Sequence, residues 1–203
     1  MTLEEKTGML HGTSMFTTAG VERLGVPELK MADGPLGVRE EISRSSWAPL
    51  GIETDYATYY PAGAGLSATW NPELAYLFGN SVGQESRARN KDVLLSPAIN
   101  IIRTPLGGRT YEYFTEDPFL NKKLAVPFIV GLQENDVAAC VKHYAANNQE
   151  TNRDFVDVQI DERALREIYL PVFKAAVTEA NAYSMMGAYN KFRGEYLCEN
   201  SHM

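Results

Sequence analysis

Short runs of consecutive apolar residues alternate along this chain with longer stretches whose apolar positions recur every three or four residues. The short runs lie in LKMAD (Leu29 to Asp33), DVLLSPAIN (Asp92 to Asn100), VAACVKHY (Val137 to Tyr144) and AYSMMGAYN (Ala182 to Asn190). Each is too brief for a helix, and their makeup predicts strands. The periodic stretches predict helices. Thr2 and Glu5 form a capping box in front of LEEKTGML, because the Thr hydroxyl and the Glu carboxylate each take a backbone N–H that the first turn leaves unpaired. Asn71-Pro72 and Asp117-Pro118 are caps followed by a proline in the first turn, where its missing N–H costs nothing. Behind the first come Leu74, Leu77, Phe78 and Val82, and behind the second Phe119, Leu120, Leu124 and Phe128. The broadest stripe is Leu165, Ile168, Tyr169, Val172, Phe173, Ala176 and Val177 within DERALREIYLPVFKAAVTEA, with a kink expected at Pro171.

Strand–helix alternation without hairpin signals predicts a parallel α/β sheet. It does not separate an open doubly wound sheet from a barrel. No GxGxxG follows the first strand and no Walker sequence occurs, so the usual nucleotide-binding versions lose their main signal. The 203 residues, 44% hydrophobic and 22% charged, supply one sizeable core but fall short of the ~250 of a complete (β/α)8 barrel. A net charge of -7 repels phosphate backbones and argues against nucleic acid. No run reaches the ~20 apolar residues of a membrane span, and no basic start with an apolar stretch opens the chain, so a cytoplasmic location is the expectation. Cys140 and Cys198 are too few for a disulfide framework and are expected to be buried small hydrophobes.

The unusual polar residues stand just past the strand-like runs: Asp33 after LKMA, Arg109 in the glycine-rich loop after LLSPAIN, Lys142 and His143 after VAACV, Tyr189 and Asn190 after YSMMGA. In a barrel those ends surround one site. A carboxylate, cationic donors, an imidazole and a phenol together suit a polyhydroxylated ligand, since the carboxylate accepts from vicinal hydroxyls and the cations donate to others. Taken singly, Asp33 before Gly-Pro also fits a turn residue, and Arg109 a surface ion-pair partner. His11 follows a helix and is expected to be solvated, and His202 is assigned nothing. A lysine at a strand end also fits a class I aldolase, with Lys142 forming a Schiff base.

The blocks MADGPLGVR, TPLGGRTYEYFTEDP, CVKHYAANNQETNR, DERALREIYLPVF and MMGAYNKFRGEYLCEN resemble, in order and spacing, the barrel domain of glycoside hydrolase family 3, and the match runs from Leu3 to Asn200. The stretch from Glu40 to Ala57 matches least and is expected to be a variable loop near the pocket mouth. The resemblance implies an α/β fold, an incomplete (β/α)8 TIM-like barrel, with residues 1–203 as its N-terminal part. It implies sugar-binding roles for Asp33, Arg39, Arg109, Lys142, His143, Arg153, Met186 and Tyr189. Glu112 is expected either to orient these cations or to form a plain structural salt bridge.

The family's nucleophile is the aspartate of an SDW-like block on the strand after AYSMMGAYN, and no such block occurs up to Met203. The general acid/base of β-glucosidase members comes from a following domain. The chain is therefore expected to carry the sugar-binding part of a retaining β-glucosidase, with both catalytic carboxylates beyond Met203 and no metal or cofactor. KHYAANNQE stands where the N-acetylglucosaminidase branch has a KHFPGHG-type block, which favours the glucosidase type. The expected partner is a β-glucoside or oligosaccharide, together with a homo-oligomer or the missing C-terminal segment. A non-catalytic sugar-binding fragment is the alternative, and the Schiff-base aldolase a more distant one.

Overall fold

A computed structural model describes residues 1–203. Helix α1 (Leu3–Gly8) opens with the Thr2–Glu5 capping box, and strands β1 (Gly12–Ser14) and β2 (Thr17–Thr18) follow as a hairpin. Then come β3 (Met31–Asp33), the short α2 (Gly63–Ser67), α3 (Pro72–Ala88), β4 (Val93–Leu95), α4 (Pro118–Gln133) and β5 (Ala138–Tyr144). After β6 (Asp157–Val158), α5 (Glu162–Ala164) runs through a π-helical turn (Leu165–Tyr169) towards α6 (Pro171–Thr178). Strands β7 (Ser184–Gly187), β8 (Lys191–Phe192) and β9 (Glu195–Tyr196) complete the chain.

The four predicted strands form one all-parallel sheet in the order β3-β4-β5-β7. A parallel pair needs a long crossover, and helices supply it: α3 between β3 and β4, α4 between β4 and β5, α6 between β5 and β7. This is an α/β fold with half the strands of a closed (β/α)8 barrel. The main core of 22 buried residues joins the sheet (Leu94, Ala139, Val141) to those helices (Val82, Leu124, Phe128, Val172, Phe173).

Four expectations need correction. Hairpins do occur. In β8–β9 the loop is Arg193-Gly194, both at positive φ (51° and 95°), a two-residue turn that suits the strand twist but lacks the usual Asn-Gly signature. The apolar stripe of α3 is misassigned, since Leu74 and Leu77 are exposed while Ala75, Phe78, Gly79 and Val82 are buried. Gly79 sits so close to α4 that a Cβ there would lie 2.0 Å from the Phe128 carbonyl oxygen, and one on Gly131 of α4 would lie 2.3 Å from that of Tyr76. A face of small residues lets two helix backbones approach, and the large side chains beside it turn outward. The helix expected over 161–180 is in three pieces. Pro171 has no N–H to donate, and Leu170 N–H bonds back five residues to the Leu165 carbonyl at 2.9 Å before the helix restarts. Cys140 is buried as expected, but Cys198 is exposed on the turn following β9.

No helix is long and apolar enough to cross a membrane.

Candidate active site

Because the sheet is parallel, residues at the C-terminal ends of its strands share one end. Asp33 closes β3, Lys142 and His143 lie in the last turns of pleat of β5, and Met186 on β7 is in register with Lys142. The Lys142 Nζ donates to Asp33 Oδ1 at 2.8 Å, reaching past the end of β4, which lies between their strands. The lysine side chain is 2% exposed and the aspartate side chain 30%, so a buried cation meets a carboxylate that still faces the opening.

The loop following β4 brings Arg109 and Glu112, which form an ion pair with the carboxylate buried. The fork of Arg109 also lies 3.9 Å from Glu150 Oε1. Arg153, in the loop after β5, donates to Glu150 Oε2 at 2.8 Å, and its guanidinium carbon sits 5.2 Å from the ring centroid of Tyr189. Arg39 follows β3 at the turn whose Arg39 N–H bonds the Asp33 carbonyl at 3.0 Å. Its guanidinium stacks 4.9 Å from the Trp47 ring and makes no ion pair, and its Nε is buried without a partner. Trp47 belongs to the irregular Glu40 to Ala57 loop, which is thereby placed over this side of the site.

One concavity of about 400 Å³ is lined by Asp33, Arg39, Arg109 and Glu112, with Tyr59 and Tyr111 on its rim. A second of about 600 Å³ is lined by Arg153, Asp154, Tyr189, Tyr196 and Cys198. The predicted residues thus divide, with Asp33, Arg39, Arg109 and Glu112 lining the first concavity, Arg153 and Tyr189 the second, and Lys142, His143 and Met186 on the strand ends behind them and lining neither. Asp33 with Lys142, Arg109 with Glu112, and Arg153 with Tyr189 are in direct contact. Arg39 shares a cavity with Asp33 and Arg109 without touching either through its guanidinium.

His143 is held from three sides. Its backbone N–H donates to Asn100 Oδ1 at 2.7 Å, Asn100 Nδ2 donates to the His143 carbonyl at 2.9 Å, and Nδ1 lies 3.3 Å from Asn100 Oδ1. Tyr113, whose hydroxyl donates to the Asn147 carbonyl at 2.9 Å, lies 3.4 Å from the same nitrogen. Burial first, then the positive charges of Arg109, Lys142 and Arg153, lower the His143 pKa to about 2, so the imidazole is neutral. The tautomer with hydrogen on Nδ1 satisfies Asn100 Oδ1 and leaves Nε2 as an acceptor. Burial pushes the Tyr113 phenol up, so it is a neutral donor.

Glu150, Asn100 and Tyr113 were not singled out from the sequence. Glu150 had a usable signal, standing three residues before Arg153, whereas Asn100 and Tyr113 act on His143 across 43 and 30 residues. Asn190, noted at a strand end, is buried in the backbone packing and donates to the Ala145 and Lys191 carbonyls.

The model of the glycosyl hydrolase family 3 N-terminal domain matches residues 31–202. Beta-glucosidase BoGH3A of Bacteroides ovatus is 55% identical over 97% of this chain and 26% of that protein. Thermostable beta-glucosidase B of Acetivibrio thermocellus is 46% identical over the whole chain and 27% of its own length. An exo-alpha-(1->6)-L-arabinopyranosidase of Bifidobacterium longum is 40% identical over 98% of the chain. Among solved structures, beta-glucosidase 3B of Thermotoga neapolitana in complex with glucose superposes with a TM-score of 0.90 at 42% identity, over 98% of this chain and 30% of that one. The chain thus spans about a quarter of the length of the curated relatives it matches. A family model covering most of the chain, close relatives and a shared fold lead to one conclusion: this chain belongs to glycosyl hydrolase family 3.

Proposed function

We propose that this chain supplies the sugar-binding part of a retaining β-glucosidase, which hydrolyses terminal non-reducing β-D-glucosyl residues. The observation that carries the reading is the cavity in which the half-exposed Asp33 carboxylate, anchored by Lys142, faces the unpaired Arg39 guanidinium and Arg109. Asp33 accepts from a pair of ring hydroxyls, Arg39 and Arg109 donate to others, and neutral His143 accepts through Nε2. Charge-assisted bonds of this kind orient a sugar more firmly than neutral ones. Met186 and Tyr189 add soft and flat apolar surface beside the ring.

Retaining hydrolysis needs two carboxyl groups ~5–5.5 Å apart, one to attack the anomeric carbon and one to protonate the leaving oxygen. Three carboxylates of this site are tightly committed to cations, Asp33 to Lys142, Glu112 to Arg109, and Glu150 to Arg109 and Arg153, while Asp154 lies loosely beside Arg153 at 3.6 Å and is largely exposed. In this reading the carboxylates present serve to hold the sugar-binding cations and hydroxyls, and the nucleophile and the acid/base come from other segments of the enzyme. The Lys142 amine is spent on Asp33, which disfavours the Schiff-base alternative.

The test is a proton NMR time course of the full-length gene product on an aryl β-D-glucoside. The β-anomer of glucose is expected as first product. The α-anomer as first product would rule out retention. An aryl α-L-arabinopyranoside run in parallel decides between the two activities for which the relatives are named. Binding of glucose without hydrolysis of either substrate would favour the non-catalytic sugar-binding reading.

A further inference from the structure

Two loops form the far wall of the site, one after β4 (Ile101 to Tyr113) and one after β5 (Ala145 to Arg153). The strands tie these loops together at their roots, where Ile99 N–H donates to the Lys142 carbonyl at 2.7 Å and Lys142 N–H to the Pro97 carbonyl at 3.1 Å, and the segments bearing Arg109 and Arg153 lie beyond those bonds. Glu150 joins them. Its Oε2 accepts from Arg153 at 2.8 Å, and its Oε1 lies 3.9 Å from Arg109. That Oε1 is buried and makes no hydrogen bond, so its remaining stabilisation is the field of the Arg109 fork. The backbone is shaped around it. Gly108 adopts φ +69°, and a Cβ there would meet Glu150 Cγ at 2.9 Å and Cβ at 3.0 Å. The loop bearing Arg109 therefore lies directly against the glutamate stem. Hydrogen bonds from Tyr113 to the Asn147 carbonyl and from Asn148 to the Ile101 carbonyl seam the same two loops together.

We infer that Glu150 is a positioning residue: its carboxylate, set between Arg109 and Arg153, fixes the distance between the two guanidinium groups that face the sugar. It touches no substrate in this reading. Arg109 has a second carboxylate in Glu112, so loss of Glu150 leaves its charge balanced but frees its spacing from Arg153. Arg153 would keep the Tyr189 ring and, as a carboxylate, only Asp154, at 3.6 Å and largely exposed. The consequence falls on binding geometry more than on the chemical step. This inference rests on the sugar-binding role proposed above.

The experiment uses the full-length enzyme carrying Glu150→Gln, which preserves shape and removes the charge. KM for an aryl β-glucoside is expected to rise about tenfold, the scale of one charge-assisted contact, with kcat changed much less. A double-mutant cycle separates positioning from a general structural role. Arg109→Lys and Arg153→Lys are expected to be coupled in the wild-type background and additive in the E150Q background. The same cycle read on denaturant unfolding requires no activity, so it judges Glu150 even if the enzyme proves inactive on glucosides, an outcome that would overturn the functional reading alone. Should E150Q be too unstable to assay, Glu150→Asp keeps the charge on a shorter stem and is expected to show the same KM-weighted loss. Wild-type KM in either variant, or arginine coupling that survives in the E150Q background, overturns the inference.

Discussion

At the residue scale the site is governed by what burial does to ionisable groups. His143 has its pKa lowered from an ordinary 6.5 to about 2 by burial and by Arg109, Lys142 and Arg153. A histidine depressed on folding takes up its proton in the unfolded chain first. Its contribution to stability is therefore complete above about pH 6.5 and is lost as pH falls towards the folded value, at ~1.4 kcal/mol per pH unit. Denaturant unfolding of the full-length protein between pH 6.5 and 5, before carboxylates titrate, should show that slope, and His143→Gln should flatten it. An unchanged slope in the variant would mean that other groups set the acid limb. The Asp33–Lys142 pair makes a second residue-scale expectation. Asp33→Asn leaves a 2% exposed ammonium without its carboxylate, which is expected to cost ~1–3 kcal/mol, discounted from the full penalty of a buried pair because the aspartate is partly solvated. Lys142→Met in the same protein should recover much of that loss, and full additivity of the two substitutions in unfolding measurements would contradict it. The placement of Asp33 and Lys142 at one end of the sheet could be read from the sequence because a charged residue ending an apolar strand run is conspicuous. That of Asn100 and Tyr113 could not, because an ordinary polar residue gains its role here only from a partner distant along the chain.

At the scale of the element, local chemistry predicted starts better than faces. The Thr2, Asn71 and Asp117 caps all accept the backbone N–H groups expected of them, since a cap depends on residues within one turn. The buried face of α3 depends instead on its neighbour. Periodicity favoured Leu74 and Leu77, yet α4 selected the small residues Ala75, Gly79 and Gly83. Glycine in a helix interior ordinarily costs stability, and here it is kept because the two backbones nearly touch. Gly79→Ala should therefore destabilise the fold, against its helix propensity. With a Cβ forced to 2.0 Å from the Phe128 carbonyl, overpacking is expected to cost ~1–3 kcal/mol or more. Gly65, whose Cβ would meet nothing within 4 Å, is the matched control and should tolerate alanine. A Gly79→Ala protein melting at or above the wild-type temperature would show that α3 and α4 have room to part.

For the whole molecule, strand–helix alternation sufficed to read a parallel sheet with Asp33, Lys142 and His143 at one end. It could not distinguish an open sheet from a barrel, because both repeat the same unit. That distinction concerns the sheet's edges. The outer side of β3 is partly met from within the chain, where Met31 N–H bonds the Phe16 carbonyl at 2.8 Å and Thr18 N–H bonds that of Leu29 at 3.1 Å. The outer side of β7 pairs with no strand. Beside it lies an open groove of about 590 Å³ lined largely by Tyr144, Leu170, Phe173, Val177 and Met185. An unpaired edge strand next to apolar surface is a template for association. The 203-residue polypeptide, prepared alone, is therefore expected to self-associate and to leave aryl β-glucosides intact. A separate polypeptide carrying the rest of the full-length sequence is expected to suppress the association and bring hydrolysis, by covering this edge and supplying the nucleophile and the acid/base. Light scattering and a glucoside assay on the separate and mixed polypeptides check both halves. A monodisperse 203-residue monomer would show that the β7 edge is tolerated in water. Hydrolysis by that monomer would show that a carboxylate within the chain, Asp33, Glu112, Glu150 or Asp154, attacks the sugar, contrary to the sugar-binding reading proposed for this site.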